Sequence, residues 1–297
     1  MKRCVLLLAL AGLIVATIPA DVRSRDQVDT TPAMGLPREA DGRSADLLSA
    51  FFGLDNTLPR RANRICRGAA GLDGMPVIFS TEIDHTTLQA GDFRVTTRSG
   101  AEGEVVCVSL LPATDAGELR TVLLMGEFGN ADADPPARVE ISGHVHSIDG
   151  ALDFRGASVA VTPLEPGPTL ILAERFDPDI ADAGLGIRRT RGSDCSAEDT
   201  VQAVRVVWAG GVTIADGTEP GEAERHLYRV SVRTQDGTVR DVVPVALADL
   251  GDGDNNHLLC LDTTDEPISV AFPAGVLIDP NGDLNPATSV RLQVEPR

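Results

Sequence analysis

Lysine is all but missing from this 297-residue chain: Lys2 is the only one, and every later basic side chain is arginine or histidine. A P-loop lysine, a Schiff-base lysine and a Ser-Lys nucleophile are thereby excluded. Positive charge is scarce as a whole, with 26 Lys and Arg against 44 Asp and Glu and a net charge of −18. Nucleic acid and anionic membrane surfaces are held by clustered cations, which this composition does not supply. Aromatic residues are 3% of the chain, with one Trp and one Tyr. That argues against a sugar-binding module, which presents exposed rings as its contact platform. No G-x-S-x-G, H-E-x-x-H, C-x-x-C or G-x-G-x-x-G occurs, so serine-hydrolase, zincin, dithiol and dinucleotide readings lack their usual anchors.

What is present begins with a basic start, Met1-Lys2-Arg3, an apolar run from Cys4 to Ala20, and small residues around Ala16 to Ala20. This is the layout of a secretory signal, with cleavage expected after Ala20 and Cys4 lost with it. The run is short and no second one follows, so no membrane span is expected after cleavage. The expected location is outside the cytosol, periplasmic or extracellular. Four cysteines remain, Cys66, Cys107, Cys195 and Cys260, and an even number in an exported chain points to two disulfides. The pairing that keeps each half self-contained is Cys66–Cys107 and Cys195–Cys260.

The chain also repeats itself. Cys66 and Phe79 stand at one offset from Cys195 and Trp208; further on, Phe93 to Arg98 answers to Tyr228 to Arg233, Val105-Val106 to Val242-Val243, Leu123-Leu124 to Leu258-Leu259, and Val159 to Val290. One structural unit is therefore used twice, with loop insertions between the copies. Short β-branched runs, at Val77–Phe79, Phe93–Thr97, Val105–Leu110, Thr121–Met125, Val139–Ile141 and Ala157–Val161, read as strands. Thr114–Glu118 and Gly251–Asn255 read as corresponding hairpin connections.

The fold expected is all-β, two tandem antiparallel immunoglobulin-like sandwiches. The divisions are a signal over 1–20, a flexible tail over 21–58 with a short helix near Ser44–Leu54, a first sandwich over 59–170, a linker over 171–192 and a second sandwich over 193–297. Val77-Ile78-Phe79-Ser80, the run Thr87 to Val95 and the loop Leu277 to Asn285 resemble bacterial Ig-like domains, in which an F-S strand, an x-D-F-x-V strand and a D-x-x-G-N loop follow in that order. The resemblance implies an exported sandwich used for display, adhesion or spacing, and it carries no catalytic residue across.

Three groups of residues invite a chemical reading. Oxygen-bearing side chains alternate in Asn130 to Asp134, in Asp252, Asp254 and Asn256, and in Asp279, Asn281 and Asp283. That alternation suits a hard cation such as Ca²⁺, although Asp, Asn and Gly are equally the ordinary turn formers. His144 and His146 put two imidazoles on one strand face, and a zinc or copper site there needs a third ligand, sought among Glu82, Asp84, His85 and Glu127. Glu82, Asp84 and His85 are also raw material for general acid–base catalysis. The expectation is a non-catalytic binding or structural module whose partner is a protein or cell surface. The alternative is a hydrolase or metal-dependent enzyme with its site between the repeats.

Overall fold

A computed structural model describes residues 28–176, Cys195 and 199–293, with the backbone of Arg23–Ser24. The expected signal and its cleavage site lie outside the described residues, as does most of the segment between the halves. The chain is mostly β. The first half carries β1 (Arg23–Ser24), β2 (Glu39–Ala40), β3 (Arg43–Ser44), β4 (Leu47–Phe51), β5 (Asp73–Phe79), β6 (Phe93–Thr97), β7 (Glu102–Ser109), β8 (Thr121–Glu127), β9 (Pro136–Ile141) and β10 (Ser158–Thr162). The second carries β11 (Leu170–Phe176), β12 (Gln202–Trp208), β13 (Arg229–Arg233), β14 (Val239–Val242), β15 (Ala246–Ala248), β16 (Asn256–Leu261), β17 (Glu266–Phe272) and β18 (Thr288–Arg291), with a single turn of α-helix, α1 (Glu222–Arg225).

The first half is a closed barrel of seven strands, running β7-β6-β9-β10-β4-β5-β8 and returning to β7. This corrects the expected Ig-like sandwich. Closure depends on β7, whose Glu102 and Gly103 pair with β6 and whose residues from Glu104 on pair with β8, with a bulge just beyond the switch, between Val105 and Cys107. A bulge bends a strand and sharpens its twist, which lets one strand serve two sheets. Gly126 on β8 makes the approach feasible, since a Cβ there would lie 2.0 Å from the Glu104 carbonyl oxygen. The other seam is the parallel pairing of β10 with β4.

In the second half the corresponding strands stand in the same order but in two sheets, β11-β12-β16-β15 and β14-β13-β17-β18. The counterpart of β7 is cut in two by Val243-Pro244: β14 pairs with β13, and β15 pairs with β16. Proline has no N–H to give a ladder and fixes φ, so it ends one pairing before the next begins. The parallel seam shrinks to a bridge between Ala173 and Leu292. One core nonetheless takes side chains from both sheets, among them Val204, Val206, Leu259, Val230, Val232 and Val270.

The two cores differ in kind. In the barrel, Phe79 meets Phe154 edge-on at 4.9 Å between ring centroids and Phe93 at 6.3 Å. In the second half Trp208 Nε1 donates to Tyr228 Oη at 3.1 Å, and Tyr228 Oη stands 2.9 Å from His257 Nδ1, all three side chains buried. Phe79 and Trp208 close corresponding strands, β5 and β12, and both are fully buried.

Three further expectations are corrected. The helix expected near Ser44–Leu54 is β4, a core strand: Leu47, Ala50 and Phe51 are buried and pair with β5 and β10. An apolar run this short has no period of its own, and sheet pairing decides it. Of the stretch assigned to the linker over 171–192, the described residues 171–176 belong to β11, which has six partner positions on β12, and the rest lies outside the described residues. Of the two disulfides, Cys195–Cys260 is present, whereas Cys66 and Cys107 are buried thiols. They share an apolar cluster with Ala62, Ala69 and Met125, in which each packs as a small apolar side chain, with Cys107 Sγ directed at the Val108 carbonyl.

Candidate functional site

The halves meet through corresponding sheets. Ile78 of β5 packs with Leu172 of β11 and Val207 of β12, flanked by Leu48 and Ile171. Around this contact the interface turns polar. Arg120 is 3.0 Å from Glu174, and Arg205, nearly fully buried, donates to the Ala116 carbonyl at 2.6 Å while lying over the Phe176 ring. Gly117 has φ +85°, and a Cβ there would collide with the Arg205 guanidinium, so only glycine lets that loop pass. A cleft of about 590 Å³ opens beside it, lined by Arg43, Glu82, Arg120, Glu174 and Arg205 among others.

The same loop of each unit, between β7 and β8 and between β15 and β16, arrives at this interface, and both are acidic. They assemble two overlapping groups, Asp115 with Asp249 and Asp252, and Glu118 with Asp252 and Asp254, each with its ligand oxygens within 4.8 Å of one another. Local bonding fixes the carboxylates. Glu118 Oε2 accepts from the Asp115 N–H at 2.9 Å. Asp254 accepts from the Asn256 N–H at 2.7 Å and its amide at 3.0 Å. Gly251 and Gly253 donate their N–H groups to Glu219, and Asn255 reaches across to Thr121 at 3.3 Å.

Electrostatically the cluster is unbalanced. Burial, then the charges of Asp254 and Asp249, push Glu118 well above the carboxylate range, with Arg205 pulling the other way. Burial and Asp252 raise Asp254; burial raises Asp252 to about 6, with Asp249, Glu219 and Asp115 adding to the rise. Buried like charges this close cannot all ionise without a proton or cation between them.

A second group forms in the barrel. His144 Nδ1 is 2.5 Å from Asp153 Oδ2, and His146 Nε2 is 4.0 Å from the same oxygen. His146 is 5% exposed and its Nε2 has no hydrogen-bond partner. The other His144 nitrogen faces Arg155 at 2.7 Å.

The residues foreseen from sequence distribute unevenly. Asp252 and Asp254 enter the interface cluster, and Asn256 orients Asp254. Asp279, Asn281 and Asp283 form a self-bonded turn in which Asp279 Oδ1 accepts from Asn281 and Asp283 N–H groups. In Asn130 to Asp134, Asn130 caps its own turn and Asp134 accepts from Thr97 and Ser99. Glu82 lines the cleft; Asp84 caps the short turn at His85–Thr87, and Glu127 is exposed at the end of β8. Of the four, the interface cleft is lined by Glu82 and not by Asp84, His85 or Glu127. The acidic residue beside His144 and His146 is Asp153, and not one of Glu82, Asp84, His85 or Glu127; it faces His146 across an antiparallel bridge. Asp115, Glu118 and Asp249 were also missed, and the signal for them was that both corresponding hairpin connections are rich in acid.

No family model matches the chain, and no curated protein does. Among solved structures it is similar to the S-layer protein rSbsC(31-844), with 12% identity and a TM-score of 0.29, over 79% of this chain and 42% of that one. The chain thus spans less than half the length of that protein chain. A likeness this distant identifies neither ligand nor partner. Among the described residues no helix is long and apolar enough to cross a membrane.

Proposed function

We propose that the chain is an exported, non-catalytic structural or binding module of two related β units, working outside the cytosol against a protein or cell-surface partner. The observation that carries the reading is the interface. Ile78, Leu172 and Val207 are buried between corresponding sheets, with Arg205 and Asn255 bonded across, which suits a rigid spacer rather than two domains that open and close over a substrate. The disulfide Cys195–Cys260 fits an oxidising compartment. The test is fractionation of cells expressing the tagged full chain, with thiol labelling of each fraction. Export with Cys195 and Cys260 protected is expected; a cytosolic protein with both thiols labelled would overturn it.

A second reading is favoured by His144, His146 and Asp153, whose two imidazoles and one carboxylate match the donor set of a zinc centre. In this alternative the chain is a metal-dependent enzyme whose centre lies inside the first unit, not between the repeats. Zinc retained after dialysis by the parent and lost in H146A, together with a hydrolytic activity that disappears in the same variant, would establish it.

A further inference from the structure

We propose that Asp115, Glu118, Asp249, Asp252 and Asp254 hold a Ca²⁺ ion between the two units. The inference goes beyond the module reading and does not depend on it, since an ion at this joint would bind whatever the chain displays. Two observations carry it. The first is the convergence of five carboxylates from two loops far apart in sequence, with Asp252 common to both groups. The second is that the cluster contains buried oxygens that no donor reaches: Glu118 is fully buried and its Oε1 receives no hydrogen bond, nor does Oδ2 of Asp249, which is 4% exposed, and the two carboxylates face each other so that only a shared proton or a cation can join them. A native protein rarely leaves such atoms unsatisfied, because an unmade hydrogen bond to a buried charged group is costly.

The donor set selects the ion. Every ligand is a carboxylate oxygen, with no sulfur or imidazole in either group, which suits a hard cation and not zinc or copper. Ca²⁺ accepts six to eight oxygens at roughly 2.3–2.6 Å in irregular geometry, whereas Mg²⁺ demands a near-octahedral shell and sheds water reluctantly. Loops bending at Gly117, Gly251 and Gly253, all at positive φ, and at Asp249, also in the left-handed region at 63°, can adjust to the larger, more permissive ion. Arg205 at the edge offsets one negative charge and leaves the remainder for the ion. Because the ligands come from both units, binding would pin the joint, and the Arg205–Ala116 and Asn255–Thr121 bonds would be reinforced by a far stronger tie.

The competing occupant is a proton shared between Glu118 and Asp249. Calorimetric titration of chelator-treated full-length protein with CaCl₂, followed by melting curves across the same concentrations, separates the two. Saturable Ca²⁺ binding is expected, with a melting temperature that climbs with Ca²⁺. E118Q should weaken binding at least tenfold and flatten that climb, yet melt higher than the parent in chelator, because a neutral amide spares the fold the cost of either protonating a carboxylate there or burying its charge among like charges. That opposite pair of effects distinguishes a lost ligand from a damaged fold. D279N, in the self-bonded turn, should bind as the parent does. No heat and no thermal shift with Ca²⁺, binding of Mg²⁺ but not Ca²⁺, an undiminished Ca²⁺ response in E118Q, or loss of the response in D279N would each overturn the proposal.

Discussion

In the first unit the strand that joins the two sheets bends over a bulge between Val105 and Cys107 and stays whole; in the second the corresponding strand is cut at Pro244 and its halves part. The rings that meet in the aliphatic core of the closed unit are all phenylalanines. The opened one adds a hydrogen-bonded line of Trp208, Tyr228 and His257 and a disulfide to β16. A barrel closed by backbone pairing has few open edges to guard and is specified by its ladder. A unit that gives up that ladder on one side needs other constraints to define a single packing, and directed hydrogen bonds and a covalent tie supply them. The same strand order thus tolerates two means of support.

The largest test breaks the closed unit. Phe79→Ala removes a fully buried ring that touches Phe93 and Phe154, and a cavity of that kind costs about 3–5 kcal/mol. Trp208 is the only tryptophan and lies in the second unit, so its fluorescence follows that unit alone while far-ultraviolet circular dichroism follows both. In denaturant the dichroism transition of the variant should begin earlier than the fluorescence transition. Equal displacement of the two signals would mean that the units unfold as one, and the contrast between their cores would lose its thermodynamic meaning.

Next in size is the covalent tie of the opened unit. The bond closes a loop with a sequence separation of 65, and replacing Cys195 and Cys260 by serine should cost about 3 kcal/mol, within the ~2–4 kcal/mol usual for such bonds. The loss should register in Trp208 fluorescence first. A double variant as stable as the parent would show that the second core holds its packing without the tie.

These elements were unequally legible in the sequence. β6 was read to the residue, because Phe93-Arg94-Val95 alternates on a half-buried face. β4 was not, since Leu47–Phe51 is an apolar run that a helix accepts as readily, and only pairing with β5 and β10 decides it. Strand order was implicit in the repeat, but barrel or open sheets turns on a bulge in one copy and a proline in the other, which shift register without changing the apolar pattern. At the candidate metal centre Asp252 and Asp254 were legible as an oxygen-rich loop. Their partners Asp115 and Glu118 belong to the other unit, and no local spacing could bring them near. Asp153 lies only nine residues beyond His144, on the returning side of the same hairpin, a distance that local spacing does span.

A smaller effect is expected from Tyr228→Phe, which keeps the ring and its contact with Phe272 at 4.6 Å but strips the hydroxyl from between Trp208 Nε1 and His257 Nδ1. Two buried polar atoms are left without partners, at a cost of about 2 kcal/mol. Urea unfolding followed at Trp208 gives the value. A change within error would mean that water replaces the hydroxyl and that the line of hydrogen bonds adds little to what the rings contribute.

The smallest effect sharpens the comparison through pH. His257 is buried beside Tyr228, and burial alone lowers its pKa from 6.5 to about 4. The folded state therefore keeps the ring neutral, with Nδ1 positioned to accept from the Tyr228 hydroxyl, at pH values where the unfolded chain already takes a proton. A group whose folded pKa lies below its unfolded one costs no stability above the unfolded value, and stability is lost as pH falls from about 6.5 toward 4. Between pH 6.5 and 5.5 the loss from this one ring comes to about 1 kcal/mol by linkage. Buried carboxylates with raised pKa values, such as Asp73 in the barrel, act in the opposite direction, so the whole-protein profile mixes the two. Subtraction isolates the histidine: urea unfolding read at Trp208 at the two pH values, in the parent and in H257Q, should show the parent losing about 1 kcal/mol more than the variant. An identical pH response in both would mean that His257 is protonated in the folded core, and that its Nδ1 donates to Tyr228 instead of accepting from it.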